Sequence, residues 1–332
     1  MTATGRKSLV SKDVQWAFVT GPAQLWDLIA AVAGPGSASK REFLVKVNWF
    51  GPPPGNYTGP AALDMLLRAL PGPATVIESH SSGRTDGSRW IPAGEAVGEN
   101  RDWLRGQERA FLQQAGLQAV LDRHRAPYLN VTEEAWAGRT VDPALVRRAV
   151  EERGPGRGPI SHQELLGFVP SALHERRERA LFIDFARLKL TDPDAGHGFS
   201  LGLKNMFGLI PEPDRSPYHH DLPRTILDIN RIYHALFDVV TVCEALENVA
   251  VYRPGGAQTA PGGTYDTIAM QPGLVVAGRN PLAVDAAAGT MFGVDLAGRA
   301  LCAEAATAFA PPSAAMIAGA QEFGRGNGLS LR

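Results

Sequence analysis

The feature that most constrains the fold is a strand–loop–helix–strand segment over residues 43–78. Apolar and β-branched residues predict a strand at Phe43–Val47, which is followed by a loop rich in Gly and Pro at residues 48–57. An amphipathic helix is predicted over residues 61–70, and a second strand at Ala74–Ile77. Such a βαβ unit places its strands parallel, with a right-handed connection. The segment therefore predicts an α/β protein with a largely parallel sheet.

Later segments continue the same alternation of strands and helices. Further strands are predicted at Ala180–Ala186, continued by residues 187–190, and at Phe237–Val242 and Gly273–Ala277. A helix is predicted between these strands at residues 223–236, and the Gly-rich stretch at residues 252–265 is predicted to be a loop. The alternation continues the α/β pattern through the second half of the chain.

The block of residues 95–178 differs from the rest because it is charged, largely helical and without repeats. We therefore predict one α/β domain over residues 1–332, with a mostly parallel, doubly wound sheet. Its core is expected at about residues 14–94 and 179–323, and the helical block at about 95–178 is expected to be an insertion that covers this core.

Charge and hydropathy exclude several function classes. The net charge is −1 without a basic block, which argues against a nucleic-acid partner. No apolar run approaches the length of a membrane span, and the N-terminus lacks the apolar core of a signal peptide. We therefore expect a cytoplasmic protein without a membrane partner, and homo-oligomerisation stays open. Cys243 and Cys302 are predicted to be buried free thiols, so no cysteine cluster is available for zinc or an iron–sulfur cluster.

Residues 196–211, with the sequence GHGFSLGLKNMFGLIP, are unusual because Lys204 and Asn205 interrupt an apolar run. A cation and an amide between long apolar flanks indicate polar groups held at the wall of a pocket. The alternative is a short amphipathic helix whose Lys204 and Asn205 side chains face water.

Polar residues follow several of the predicted parallel strands. Lys46 and Asn48 end the first strand of the βαβ unit, Glu78 and His80 follow its second strand, and the 196–211 segment follows the strand that begins at Ala180. The carboxyl ends of parallel strands share one edge of a sheet, where open α/β sheets bind ligands. We therefore expect these segments to deliver their charged side chains to one rim.

The residues expected at this rim predict an enzyme that acts on a small anionic substrate. Several lysines beside a few carboxylates suit acid–base and electrostatic catalysis, as in an isomerase, a cyclase or a lyase. The predicted catalytic residues are Glu78, His80 and Lys204. Substrate binding is assigned to Lys46, Asn48, Lys189, His197 and Asn205. No organic cofactor is predicted.

Two alternatives stay open. Glu78, His80, Asp192 and His197 offer ligands for a divalent metal, although their spacing matches no recognised motif. A protein that binds a small molecule or a partner without turning it over would use the long loops predicted at residues 81–98 and 252–265. A separate expectation concerns Asp285, a buried acid that we predict to anchor the start of a helix, with a lysine such as Lys204 as its partner.

These motifs also carry a family resemblance. The chain resembles the DUF362 family of bacterial and archaeal proteins, whose name records an unknown function. The resemblance rests on LVKVNW (residues 44–49), VIES (76–79), SLGLKNMFGLIP (200–211), TILDIN (225–230) and NPLAVDAAA (280–288). It implies a fold more than a chemistry, and we add the hypothesis of a role in bacterial specialised metabolism.

The chain departs from the family pattern at several positions. Many relatives carry ferredoxin-type cysteine clusters, and this chain has none, so iron–sulfur electron transfer is not predicted. The family motif K-x-H reads Lys189…Asp192 here, so a role of that histidine is absent or passes to His197. Asn280 and Cys243 stand where relatives carry Asp.

Overall fold

The structure, a computed structural model, describes residues 14–92, 94, 98–191, 201–260 and 263–331. The first part of the chain contains β1 (Val14–Val19), α1 (Pro22–Ala38), β2 (Glu42–Lys46), α2 (Pro60–Ala69) and β3 (Ala74–Glu78). The middle part contains α3 (Glu99–Gln114), α4 (Leu117–His124), β4 (Tyr128–Asn130), α5 (Val131–Trp136), α6 (Pro143–Arg153) and α7 (Ser171–His174).

The last part of the chain contains most of the strands. They are β5 (Ala180–Arg187), β6 (Lys189–Thr191), β7 (Val239–Ala245), β8 (Asn248–Tyr252), β9 (Gln258–Ala260), β10 (Gly263–Ala269) and β11 (Gly273–Gly278). The helices of this part are α8 (Gly202–Asn205), α9 (Leu222–Leu236), α10 (Pro281–Met291), α11 (Ala300–Ala305) and α12 (Ala314–Gly326).

Seven strands form the main sheet in the order β1-β11-β7-β5-β2-β3-β4. The five strands from β7 to β4 run parallel to their neighbours, whereas β11 and β1 add on antiparallel at the other side. The predicted α/β fold with a mostly parallel sheet is confirmed. None of the helices in the described part of the chain is long and apolar enough to cross a membrane.

The central strand β5 shows why helices cover both faces of this sheet. All eight of its residues are buried, as expected for a parallel strand between two layers. Leu181, Ile183 and Phe185 join a core with α1, α2 and α4, whereas Phe182 and Ala186 join a second core with α9 and α10. Because successive side chains of a strand point to opposite faces, one run of apolar residues serves both cores. The sheet is therefore doubly wound, as predicted.

The predicted helical insertion at about residues 95–178 contains α3 to α7, but it also supplies a strand of the main sheet. Tyr128–Asn130 forms β4, which pairs with β3 at the edge of the sheet. Three residues are too few to show an alternation in the sequence, so this strand was missed.

A second, four-stranded sheet has the order β6-β8-β10-β9. It replaces the predicted loop at residues 252–265, where β9 and β10 lie. It also changes the position of Lys189, which begins β6 and pairs with β8 instead of ending the preceding strand. Pro254 and Gly255 lie in the turn between β8 and β9. A stretch rich in Gly and Pro predicts a loop, and such a composition also occurs where short strands alternate with turns.

Candidate functional site

A row of polar side chains crosses the main sheet at the level where β2 ends. Lys46 on β2 lies in register with Asp184 on β5, and Asp184 lies in register with Thr241 on β7. All three residues are fully buried. Residues in register on parallel strands share a face, so the row lies on the face that α8, α9 and α10 cover.

Lys46 forms the best-connected ion pair of this row. Its Nζ donates to Glu78 Oε1 at 2.7 Å and to the carbonyl of Val47 at 2.7 Å. Burial lowers the pKa of Lys46, although Glu78 acts to raise it. Glu78 also accepts from the backbone N–H of Trp49 at 3.3 Å and of Ser79 at 2.7 Å. Both carboxylate oxygens are thus occupied by protein donors.

The segment made of α8 and the turn that follows it lies directly on this row, and two glycines permit the contact. A Cβ atom at Gly202 would stand 2.2 Å from Thr241 Cγ2. A Cβ atom at Gly208 would stand 2.6 Å from Lys46 Nζ and 3.0 Å from Glu78 Oε1. A larger residue at these positions would require either that the segment moves away from the sheet or that Thr241 or the Lys46–Glu78 pair moves.

Two side chains, those of Asp285 and Asn230, hold α8 in place. Asp285 on α10 accepts from the backbone N–H of Gly202 at 2.8 Å and of Leu203 at 3.1 Å. Asn230 on α9 donates to the Leu203 carbonyl at 2.8 Å. Asp285 was expected to anchor a helix start, and it does so through backbone N–H groups, without an ion pair to Lys204 among the described contacts.

Two asparagines link this layer to Lys189. The Asn205 side chain donates to Asp184 Oδ1 at 2.7 Å, and Asn48 donates to Asn205 Oδ1 at 3.0 Å. Lys189 Nζ in turn donates to Asn48 Oδ1 at 2.9 Å and to the Asn56 carbonyl at 3.2 Å. Residues from β2, β5, β6 and α8 therefore share one hydrogen-bonded network.

The electrostatics of this network are dominated by cations. The pKa of Lys189 is lowered to about 7, first by burial and then by the charges of Lys204, Arg187 and Lys46. Burial also lowers the pKa of Lys204, whose side chain is only half-buried. Within the described ranges, no carboxylate lies in ion-pair distance of Lys189 or Lys204. Phe50 covers the Lys189 ammonium, with 5.3 Å from Nζ to the ring centroid.

His80 belongs to a different cluster. Its Nε2 lies 3.0 Å from Glu133 Oε1, and its Nδ1 lies 3.6 Å from Glu108 Oε2. Burial alone would lower the pKa of His80, but the hydrogen bonds with Glu108 and Glu133 outweigh it, and the pKa is raised. Arg84 completes the cluster through Glu108, at 2.8 Å. His80 thus connects α3 and α5 with the end of β3. It makes no described contact with the Lys46 network.

The structure therefore brings together five of the predicted site residues. Lys204 makes no described hydrogen bond to them, but its charge is one of the causes that lower the pKa of Lys189. The five residues in the hydrogen-bonded network are Lys46, Asn48, Glu78, Lys189 and Asn205. His80 is separate, and Asp192 and His197 lie outside the described residues. Among the residues that are described, no three His, Cys, Asp or Glu side chains are grouped as a metal site would require.

Sequence reasoning missed Asp184 and Arg215. Asp184 is the one charged residue inside the apolar run ALFIDFA. An acid in a strand predicted to be buried is costly without a partner, so this position could have been predicted as a site residue. Its pKa is raised to about 7 by burial, and its Oδ2 has no hydrogen-bond partner among the described residues. Arg215 donates to the His80 carbonyl at 2.9 Å and to the Ile210 carbonyl at 3.0 Å, in a loop without sequence pattern.

We expect replacement of His80 by glutamine to lower the free energy of unfolding by about 1–3 kcal/mol, as for a buried hydrogen-bonded group that loses a partner. Because the folded pKa of His80 is raised, its contribution is complete below pH 6.5 and is lost as the pH rises through the folded value. Urea titrations of the wild-type protein and the His80→Gln variant at acidic and alkaline pH measure the difference in their free energies of unfolding. A difference that grows with pH would contradict this role of His80.

A family comparison bears on the same elements. The family model for the domain of unknown function DUF362 matches residues 173–290, which contain β5 to β11, α8, α9 and most of α10. This range includes Asp184, Lys189, Asn205 and Asp285, whereas Lys46 and Glu78 lie outside it. No curated protein and no solved structure is significantly similar to the chain.

Proposed function

We propose that this chain, which belongs to the DUF362 family through residues 173–290, is an enzyme acting on a small anionic substrate by acid–base and electrostatic catalysis. The reaction classes that fit are isomerisation, cyclisation and elimination. The family's function is unknown, so the proposal rests on the side chains of this chain alone.

One observation carries the proposal: two neighbouring lysines, Lys189 and Lys204, lack a carboxylate partner among the described residues. Lys189 is only 4% exposed, and a buried cation without a counter-charge is costly. An anionic ligand beside Lys204 would supply that charge. Asn48 and Asn205 supply amide groups that can orient such a ligand, and Asn48 is half-buried, so it reaches solvent.

The pKa of Lys189 supports a role in proton transfer. A group with a pKa of about 7 is present in both protonation states near neutral pH, which is where general acid–base catalysis is most efficient. Glu78 was the first candidate for this role, but its two oxygens are held by Lys46, Trp49 and Ser79. We therefore propose Lys189 for proton transfer, Lys204 for stabilising negative charge, and Glu78 for holding Lys46.

The direct test is proton exchange in deuterated water. The protein is incubated with small carboxylates and oxo acids, and NMR follows the loss of proton signal at the carbon next to the carboxylate or carbonyl group. Exchange that depends on the wild-type protein and on Lys189 supports the proposal. Binding of the same anions without exchange would instead favour a non-catalytic binding protein.

Metal analysis distinguishes this mechanism from the alternative of a metal-dependent enzyme. Acid–base chemistry on lysines requires no tightly bound divalent ion, so exchange should persist after treatment with a chelator. A stoichiometric ion in the purified protein, together with exchange that a chelator abolishes and the metal restores, would replace the proposal by a metal-dependent mechanism.

Replacing Lys204 by alanine should weaken anion binding about 10- to 100-fold, since a hydrogen bond to a charged group contributes about 1.5–3 kcal/mol. Folding should be unchanged because Lys204 is half-buried and has no described hydrogen bond. Calorimetric titration with malonate and with inorganic phosphate measures the affinity. The matched control is Lys40→Ala, which removes a lysine at the opposite end of β2 and should leave the affinity unchanged. A Lys204→Ala protein that fails to fold would make Lys204 a structural residue.

A further inference from the structure

We infer that Lys189 is a nucleophile that forms an imine with an oxo acid. The inference rests on the proposed function, because it assigns a substrate class to the same site, and it adds a covalent step. Its substrate class is a carbonyl compound with a carboxylate close to the carbonyl carbon.

The hydrogen bonds of Lys189 match those of a neutral amine. A neutral amine has two N–H donors and one lone pair, and Lys189 has two acceptors, Asn48 Oδ1 and the Asn56 carbonyl. No further acceptor is described around Nζ. With both N–H groups donated, the lone pair of the neutral amine is the group that can add to a carbonyl carbon.

The surroundings of Lys189 distinguish it from Lys46. Lys46 donates to Glu78 at 2.7 Å, and Gly208 lies directly on its ammonium group, so Nζ is occupied and covered by the protein. Lys189 has cations as neighbours instead, and Lys204 contributes the strongest of these repulsions. Desolvation and a neighbouring cation are the two known ways of activating a lysine as a nucleophile.

The groups around Lys189 also account for the binding and activation of the oxo acid. Lys204, whose charge acts on Lys189, is the group that we assign to pair with the carboxylate or to donate a proton to the carbonyl oxygen. The Nζ–C bond forms as the carbonyl oxygen takes up a proton, and the carbinolamine then loses that oxygen as water. Amine and carbonyl compound thus give an imine and one water, without an oxidant or a reductant. The protonated imine keeps one N–H, for which Asn48 Oδ1 is an acceptor.

Reductive trapping tests the inference. The purified full-length protein is incubated at pH 7.5 with pyruvate or with acetoacetate, and sodium cyanoborohydride is added. Hydride adds to the imine carbon and gives a stable secondary amine. Peptide mass spectrometry then locates the adduct. We expect it at Lys189, in excess over Lys40 by about 10-fold or more, and absent from Lys189→Arg, which preserves the charge. Lys204→Ala should trap less than the wild-type protein.

Two results would overturn the inference. One is an adduct spread evenly over surface lysines, and the other is the absence of an adduct with both oxo acids. If proton exchange in deuterated water still depends on Lys189 in that case, the imine is excluded while the proposed acid–base function stands. If neither trapping nor exchange occurs, both are excluded.

Discussion

Methionine in place of Lys189 is expected to lower kcat/KM for the proposed reaction by about 10²- to 10⁴-fold, the usual contribution of a general acid or base. Methionine has a similar length and leaves the β6 backbone unchanged, so the protein should fold. Proton exchange followed by NMR measures the rate, and circular dichroism checks the fold. A folded variant that retains the full rate would exclude Lys189 from the chemistry.

The pH profile of this reaction follows from the charges around Lys189. With a pKa of about 7, the neutral amine becomes the major form as the pH rises through 7, so kcat/KM should rise through the same range. The groups that set this value besides burial are Lys204, Arg187 and Lys46, which lower the pKa, and Glu78, which raises it.

Lys204→Ala provides a readout that a purely structural role would not change. Removing the Lys204 charge removes a repulsion, so the pKa of Lys189 should rise and the inflection of the profile should move to higher pH. An inflection that stays in place, or that moves to lower pH, would contradict the proposed proximity of the two lysines.

Replacing Glu78 by glutamine is expected to lower the free energy of unfolding by about 3–5 kcal/mol, because it leaves the Lys46 charge buried without a counter-charge. Lys46 is fully buried, and the other acceptors of its Nζ are the Val47 carbonyl at 2.7 Å and Asn205 Oδ1 at 3.4 Å. The segment at Gly208 lies on the pair, so water has little access. Denaturant titration measures the loss.

A double-mutant cycle separates the pair from its surroundings. Lys46→Met with Glu78→Gln should cost less than the sum of the two single changes, because the double variant leaves no buried charge uncompensated. The matched control is the exposed pair Arg179–Glu42, with 2.6 Å between Nε and Oε1, for which about 0–1 kcal/mol is expected. Additive losses at Lys46 and Glu78 would contradict the assignment of this pair as an electrostatic unit.

The site could be predicted in part because of the geometry of parallel strands. Strand ends that are distant in the chain meet at one edge of the sheet, which explains why Lys46, Asn48 and Glu78 share a network with Asn205. The same rule gave the wrong position for His80. It predicts which strand end a residue follows, but it does not predict the direction in which the side chain points. Two residues beyond Glu78, the chain turns, and His80 points to Glu133 on α5 instead.

The sequence by itself determined the α/β fold, the parallel strands at the centre of the sheet and the segments that meet at their carboxyl ends. These features follow from local hydrophobic periodicity and from the short connections of a βαβ unit, which are properties of neighbouring residues. Only the tertiary structure decided which charges are paired. Glu78 neutralises Lys46, whereas Lys189 has cations around it, and this difference arises because burial and distance between remote segments set the pKa of a side chain.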